Sequence, residues 1–350
     1  MLMLDLFKRK LNIYFFNKYT LKKFFNLMGS VFSYRYSKSP IVKSHPIRMV
    51  IDTGNICQLK CPLCPTGLGR TTREKSFMDL ESFKKIIDEA GEYLCEVDLY
   101  NWGEPFLNKD LSKMIRYAKN AGIKVSLNAN LNLLKEEWMH EIVEAQLDQL
   151  TVSIDGASQE TYSKYRIGGN FDIVLNNLKK LIEVRKQHKS KSPHITWQFL
   201  VMSHNEEEIE KCKKMAHEIG VDEVYLRPMR CDMGTELLMS DQEKVESIKN
   251  WLPSQEKYSR YNYKTKQKKN PLAKCLFQTT NMVVNPNGSV SPCCGVYDEK
   301  WDFGNALKDG VFRVWNNETY VAARKAVLDK DTSNPDLICT HCIKNGFLEY

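Results

Sequence analysis

Three cysteines stand within eight positions of this chain, Cys57, Cys61 and Cys64 in the stretch NICQLKCPLCPTG. Neither a helix nor a strand converges all three side chains of a C-x3-C-x2-C spacing on one point, so the spacing demands a loop. The preceding RMVID reads as a strand, which puts the loop at the C-terminal mouth of an α/β fold, where such folds carry their sites. Pro62 and Pro65 stiffen it and leave fewer backbone donors to bury. Three thiolates leave one iron of a 4Fe–4S cluster without a protein ligand. An open position on a redox cluster is a chemical tool, as it is on a catalytic zinc. The plainer alternative is half of a zinc site, completed by the Cys339-x2-Cys342 pair.

From Arg48 onward, strand and helix patterns alternate. RMVID, EVDLYNWGEP, IKVSLNAN, QLTVSIDG, ITWQFLVMS and DEVYLRP read as strands, separated by helical periods such as LESFKKIIDEAGEY and FDIVLNNLKKLIEVRKQ. Asn205 with Glu208, and Ser240 with Glu243, read as capping boxes. Six βα units imply a parallel sheet but cannot close an eight-stranded barrel, so the expected fold is a partial (β/α)6 TIM-like barrel. A lysine-rich stretch, KYSRYNYKTKQKKNP, reads as a linker to a cysteine-bearing tail. The expected division is a basic head at 1–47, the barrel at 48–235, a helix and linker at 236–273, and a small α+β domain at 274–350.

The cysteine loop after the first strand resembles that of the radical S-adenosylmethionine enzymes. In that family the open iron holds the amino and carboxylate groups of S-adenosyl-L-methionine, which makes Cys57, Cys61 and Cys64 the catalytic cluster ligands. Further motifs carry the resemblance over most of residues 48–235. Gly103, Glu104 and Pro105 in NWGEP match the motif that takes the methionine ammonium on its backbone. Ser126, Asn128, Ser153 and Asp155 match positions near the ribose and carboxylate, and Arg166 matches an arginine on the carboxylate. Leu63 stands where many members have an aromatic, and Trp102 where the longer motif form has glycine. The tail resembles the auxiliary SPASM domain in its shortened twitch form: NPNG turns a hairpin with cysteines at both ends, and CTHC follows a helix. The resemblance implies one further 4Fe–4S cluster on Cys275, Cys293, Cys339 and Cys342, with Cys294 the alternative to Cys293. His341 and Asn305 are expected to be structural, as are Cys95, Cys212 and Cys231.

The implied activity is hydrogen abstraction from substrate, most simply a two-electron oxidation of a sugar- or cyclitol-like molecule. Tyr225 and Arg227 are candidates for the substrate side, and the electron donor is of the flavodoxin or ferredoxin kind. The alternatives are maturation of a ribosomally made peptide and, more remotely, a non-catalytic metal-binding module.

No stretch of about 18 apolar residues exists to span a membrane, and eleven cysteines suit a reducing cytoplasm. The charge is lopsided. The first 49 residues hold ten lysines and arginines against the single acid Asp5, a net +9, while the other 301 sum to −1. This head reads as an amphipathic helix packed on the body with its lysines solvated, or as a peripheral membrane contact through residues 1–40. No nucleic-acid module accompanies it.

Overall fold

Six strands run parallel and lie side by side in chain order: β1 (Arg48–Ile51), β2 (Glu96–Asp98), β3 (Lys124–Ala129), β4 (Gln149–Ser153), β5 (His194–Val201) and β6 (Glu223–Pro228). The computed structural model describes residues 20–70, 72–229, 250–265, 269 and 275–344. Cys231, Ser240, Glu243, residues 1–19 and part of the lysine-rich linker lie outside the described residues.

Side chains alternate along each strand, and the two faces differ in chemistry. Met49, Ile51, Val97, Val125, Leu127, Leu150, Val152, Ile195, Trp197 and Phe199 are all buried in one apolar core. Packed over them are α-helices Leu80–Ala90, Leu111–Asn120, Glu136–Glu144, Phe171–Gln187 and Ile209–Ile219. The other face presents Arg48, Asp98, Ser126, Asn128, Ser153, Gln198 and Arg227. A parallel sheet covered on both faces reads as continuous apolar strands. The polar second face here is that of an open barrel lining a cleft. At the N-terminal end of that face, Arg48 pairs with Asp98 at 2.6 Å and Lys124 with Glu96 at 3.2 Å, so an ion network forms its floor.

The second cysteine region does not hang from the barrel as a separate module. Its strand β7 (Asn281–Val284) pairs in parallel with β1, from Arg48↔Asn281 to Ile51↔Val284. Beyond it β8 (Val290–Ser291) pairs antiparallel, so one sheet of eight strands serves both regions. Arg73 locks the junction from the far end of the first cysteine loop. It is buried and pairs with Asp302 at 2.5 Å, and it donates to Ser289 Oγ, Ser291 Oγ and the Tyr297 carbonyl.

Two expectations need correction. Asn205 does not cap its helix. Its Oδ1 accepts the Met202 N–H and its Nδ2 donates to the Asp155 and Leu200 carbonyls, while Glu208 accepts from Ala157 N–H and Thr161 Oγ1. Tertiary partners outcompeted the local pairing. The basic head does form a helix, α1 (Leu21–Tyr36), but its buried side includes Lys23, Asn26 and Ser30, so a lysine packs inward. No helix of the described residues is long and apolar enough to cross a membrane.

Replacing Arg73 by leucine leaves Asp302, which is nearly buried, without its charge partner, while Ser289 and Ser291 keep Asn285 Nδ2 as a donor. The expected cost is about 3–5 kcal/mol in urea unfolding, as for other broken buried pairs. A loss below 1 kcal/mol would mean that the junction does not depend on this residue.

Candidate active site and second cysteine centre

The loop after β1 is held by its neighbours before any metal is considered. Asp52, 1% exposed at the end of β1, accepts the backbone N–H of Trp102 at 3.2 Å, with Gly54 and Gly103 as further backbone donors. Burial pushes its carboxyl up to about 7, against the pull of those donors. Gly103 has no room for a side chain, because a Cβ there would stand 1.7 Å from the Gly54 carbonyl oxygen. Glu104 N–H donates to the Ile56 carbonyl at 2.9 Å, and the Glu104 carboxylate accepts Asn130 N–H at 2.8 Å. Pro105 opens a short 3-10 turn, Pro105–Leu107. Gly103 and Glu104 thus join the loop after β2 to the cysteine loop and to the end of β3, and Pro105 sets the turn that follows.

The thiols sit under apolar cover from Leu59, Leu63, Tyr165, Met202 and Met229. Burial pushes Cys57 up to about 12 and Cys61 to about 11, so they are thiols until a cation takes the proton's place. Cys57 Sγ accepts Leu59 N–H at 3.4 Å and Asn130 Nδ2 at 3.8 Å, and Gln58 Nε2 holds the Asn130 amide by its oxygen at 2.8 Å. Gly67 packs against Cys61, where a Cβ would meet the Cys61 backbone at 2.6 Å. Three soft donors on one tightly held loop, with a donor aimed at one sulfur, fit an iron-sulfur cluster. Arg166 lies beside them: its Nε pairs with Asp155 at 2.5 Å and its Nη1 is 4.0 Å from Cys61 Sγ. Asp155 is fully buried and also accepts Leu200 N–H at 2.7 Å, so it anchors Arg166 rather than facing the cleft.

At the strand ends a chain of side chains crosses the sheet. Ser153 Oγ donates to Asn128 Oδ1 at 2.9 Å, Gln198 Nε2 to Ser153 Oγ at 3.3 Å, and Arg227 Nη1 to Gln198 Oε1 at 2.9 Å. Ser126 stands deeper on β3 and pairs with Gln149. Tyr225 is half-exposed.

Cys275 precedes β7, Cys293 follows β8, and Cys339 and Cys342 lie on the helix Ile338–Lys344. The thiols interact within each set: Cys57 with Cys61 and Cys64, and Cys339 with Cys275, Cys293 and Cys342. Cys57, Cys61 and Cys64 belong to the small cluster of Leu59 and Tyr165, whereas Cys275, Cys293, Cys339 and Cys342 pack with the main core, so the two sets are separate. Burial pushes Cys275, Cys293 and Cys339 upward, as at the first loop. Cys294 neighbours Cys275 but also Tyr100, at the end of β2. Gln278 Nε2 donates to Cys339 Sγ at 3.4 Å, and four soft thiol donors with a hydrogen bond to one of them are the donor chemistry of a fully ligated iron-sulfur cluster. His341 meets the Pro335 carbonyl and Asn305 caps the turn Ala306–Asp309, both structural tasks, while Cys212 is a core residue.

Sequence reasoning passed over Asp52, Gln58, Asn130, Gln198, Gln278 and Arg324. Asn130 was the most accessible of these, since it continues the alternation of Ser126 and Asn128 by one step.

A sequence model of the Radical SAM superfamily matches residues 51–216, and one of the iron-sulfur cluster-binding SPASM domain matches residues 275–343. The probable GTP 3′,8-cyclase of Methanococcus maripaludis is 34% identical over 129 residues, 37% of this chain and 43% of that protein. The AdoMet-dependent heme synthase of Methanosarcina barkeri is 29% identical over 213 residues, 59% of this chain and 58% of that protein. The chain thus spans about half the length of these relatives. In fold it is similar to Streptococcus suis SuiB bound to the precursor peptide SuiA, with a TM-score of 0.61 at 15% identity, covering 93% of this chain and 78% of that one.

Burial holds the Glu104 carboxyl up at about 7, so the folded state binds more protons than the unfolded state above the ordinary value of 4.5. Its contribution to stability is full below about 4.5 and lost as pH rises through about 7. Glu104→Gln keeps an acceptor for Asn130 N–H. In urea unfolding from pH 5.5 to 8, its stability is expected to fall less than the parent's, by about 2 kcal/mol at most. Identical slopes would show that Glu104 carries no such burden.

Proposed function

Because the chain belongs to the radical SAM superfamily, with an iron-sulfur SPASM domain behind its barrel, we propose that it oxidises a small hydroxylated substrate by two electrons. It is an enzyme that uses S-adenosyl-L-methionine and two 4Fe–4S clusters. Cys57, Cys61 and Cys64 would hold one cluster, and Cys275, Cys293, Cys339 and Cys342 the other. When bound, the cofactor would supply a 5′-deoxyadenosyl radical that takes the carbinol hydrogen and the second cluster would take one electron, so that with the hydroxyl proton passing to solvent a secondary alcohol becomes a ketone. A flavodoxin- or ferredoxin-like protein would supply the starting electron.

A buried cation beside the second centre carries this reading. Arg324 is 2% exposed and stacks on the rings of Trp315 and Tyr320. Its guanidinium donates to the carbonyls of Gln278 and Trp315 and to Asn316 Oδ1. Among the described residues it pairs with no carboxylate, and burial pulls its pKa down to about 10. Gln278 links it to the centre, accepting from Arg324 Nε at 2.6 Å while donating to Cys339 Sγ at 3.4 Å. A cation without a counter-charge in a low-dielectric site favours an added electron nearby, which is the property of an acceptor.

The remaining roles follow from chemistry at the cleft. Arg166, fixed by Asp155, keeps Nη2 without a partner among the described residues and suits the cofactor carboxylate. Gly103, Glu104 and Pro105 offer backbone to the ammonium, and Ser126, Asn128 and Ser153 face the region of the ribose. Gln198, Arg227 and Tyr225 alternate donors and acceptors along the cleft, as a polyhydroxylated sugar or cyclitol requires. A peptide substrate is the second reading, supported by the peptide held by the SuiB relative in fold.

Two outcomes are expected. Deuterium on a carbinol carbon of the substrate should appear in 5′-deoxyadenosine by mass spectrometry; transfer from a peptide alone would favour the second reading. Arg324→Met should lower the midpoint potential of one cluster only, by tens of millivolts in order of magnitude. Two unmoved potentials would remove the argument from charge.

A further inference from the structure

Helix α1 is amphipathic in the reverse of the usual sense. Leu21, Phe25, Met28, Phe32 and Tyr36 follow one another at steps of three and four, a single stripe along its length. Their exposures are 75, 67, 48, 62 and 65%, and Phe24 and Ile41 extend the patch. The opposite side is docked mainly through polar groups, with Leu27 the one apolar residue of the helix buried there. Lys23 Nζ donates to the Ala121 and Gly122 carbonyls at 3.0 and 2.8 Å, capping the end of helix Leu111–Asn120. Asn26 exchanges hydrogen bonds with His45 and also donates to the Tyr93 carbonyl. A helix that needed its apolar residues for docking would have turned them inward. This one is fixed by Lys23, Asn26 and Ser30 and keeps its aromatic stripe on the surface.

The charge around the stripe narrows what can cover it. The chain through Met49 carries ten basic residues and one acid; Arg35, Lys38 and Lys43 belong to α1 or the segment behind it, as does Lys22, which pairs with Glu92 at 2.6 Å. A groove of about 680 Å³ beside the helix is lined by Phe25, Phe32 and Ile41 together with Lys22 and Lys43. A stripe of Leu, Phe, Met and Tyr on a helix lying along a basic surface has the composition of an interfacial helix. A positively charged rim opposes a second copy of itself and complements an anionic bilayer.

We propose that α1 is a peripheral membrane anchor, laying Leu21, Phe25, Met28, Phe32 and Tyr36 into the surface of an anionic lipid bilayer. Hydrophobic insertion and attraction of the basic head act together, and the second is screened by salt. The docked side of α1 reaches the second cysteine region, where Ser30 Oγ donates to the Thr279 carbonyl at 3.4 Å, but the stripe lies on the other side of the helix, so it can be altered without touching either centre.

The purified holoprotein should sediment with vesicles containing phosphatidylglycerol far more than with phosphatidylcholine alone, and release as salt is raised to about 1 M. Phe32→Trp should show blue-shifted fluorescence on the anionic vesicles. F25S/F32S should weaken binding by about tenfold or more, with iron content and melting temperature unchanged, because both rings are exposed. Equal sedimentation of parent and double variant would overturn the proposal, as would none with either vesicle. Self-association that the double variant abolishes, without vesicle binding, would assign the stripe to a second copy. A lowered melting temperature of that variant, without vesicle binding, would assign it to a cover within the chain.

Discussion

The backbones of Gly54 and Gly103 touch, and the site depends on that contact. With a Cβ at Gly103 standing 1.7 Å from the Gly54 carbonyl oxygen, the loops after β1 and β2 cannot approach as they do. Asp52 holds the same contact from below, and Glu104 extends it to the end of β3 through Asn130. Both carboxyls are buried, at a cost that burial makes visible in their raised pKa values. The return is rigidity: Glu104 fixes the Asn130 backbone and Gln58 its side-chain oxygen, which together aim the amide at Cys57. Three thiolates on a long loop would otherwise be free to wander, and a cluster with one open iron needs them fixed.

Much of this was readable in the chain because the signals were local. C-x3-C-x2-C demanded a loop, and RMVID with five later strand patterns demanded parallel units. What escaped was set by contacts between residues far apart in sequence. The pairing of β7 with β1 joins residues more than 230 positions apart, and no pattern in either strand names its partner. Arg324 sits in an unremarkable helical stretch, yet it becomes a buried cation once Trp315 and Tyr320 close on it. Asn205 and Glu208 matched a capping box and served Asp155, Ala157 and Thr161 instead, tying the loop after β4 to the segment after β5. The head misled in another way: its lysines and aromatics alternate as an amphipathic helix should, but periodicity does not say which face is docked.

The shared sheet gives the two cysteine regions a fixed relation. Through β1 and β7 the first loop and the second hairpin leave adjacent strands, and Arg73 with Asp302 closes the other side. One region has three thiols and an arginine left partly open beside them. The other has five thiols, four of them the expected ligands, and a buried arginine. The first arrangement suits an exchangeable ligand and the second suits electron transfer alone.

That division of labour is tested most directly by electron paramagnetic resonance of the reduced holoprotein, with and without S-adenosyl-L-methionine. The expected spectrum is the sum of two cluster signals, only one of which shifts when the cofactor is added. Alanine at Cys57, Cys61 and Cys64 should remove that signal and leave the other in place. A cofactor that perturbs both signals, or perturbs the one that survives in the triple variant, would contradict the account.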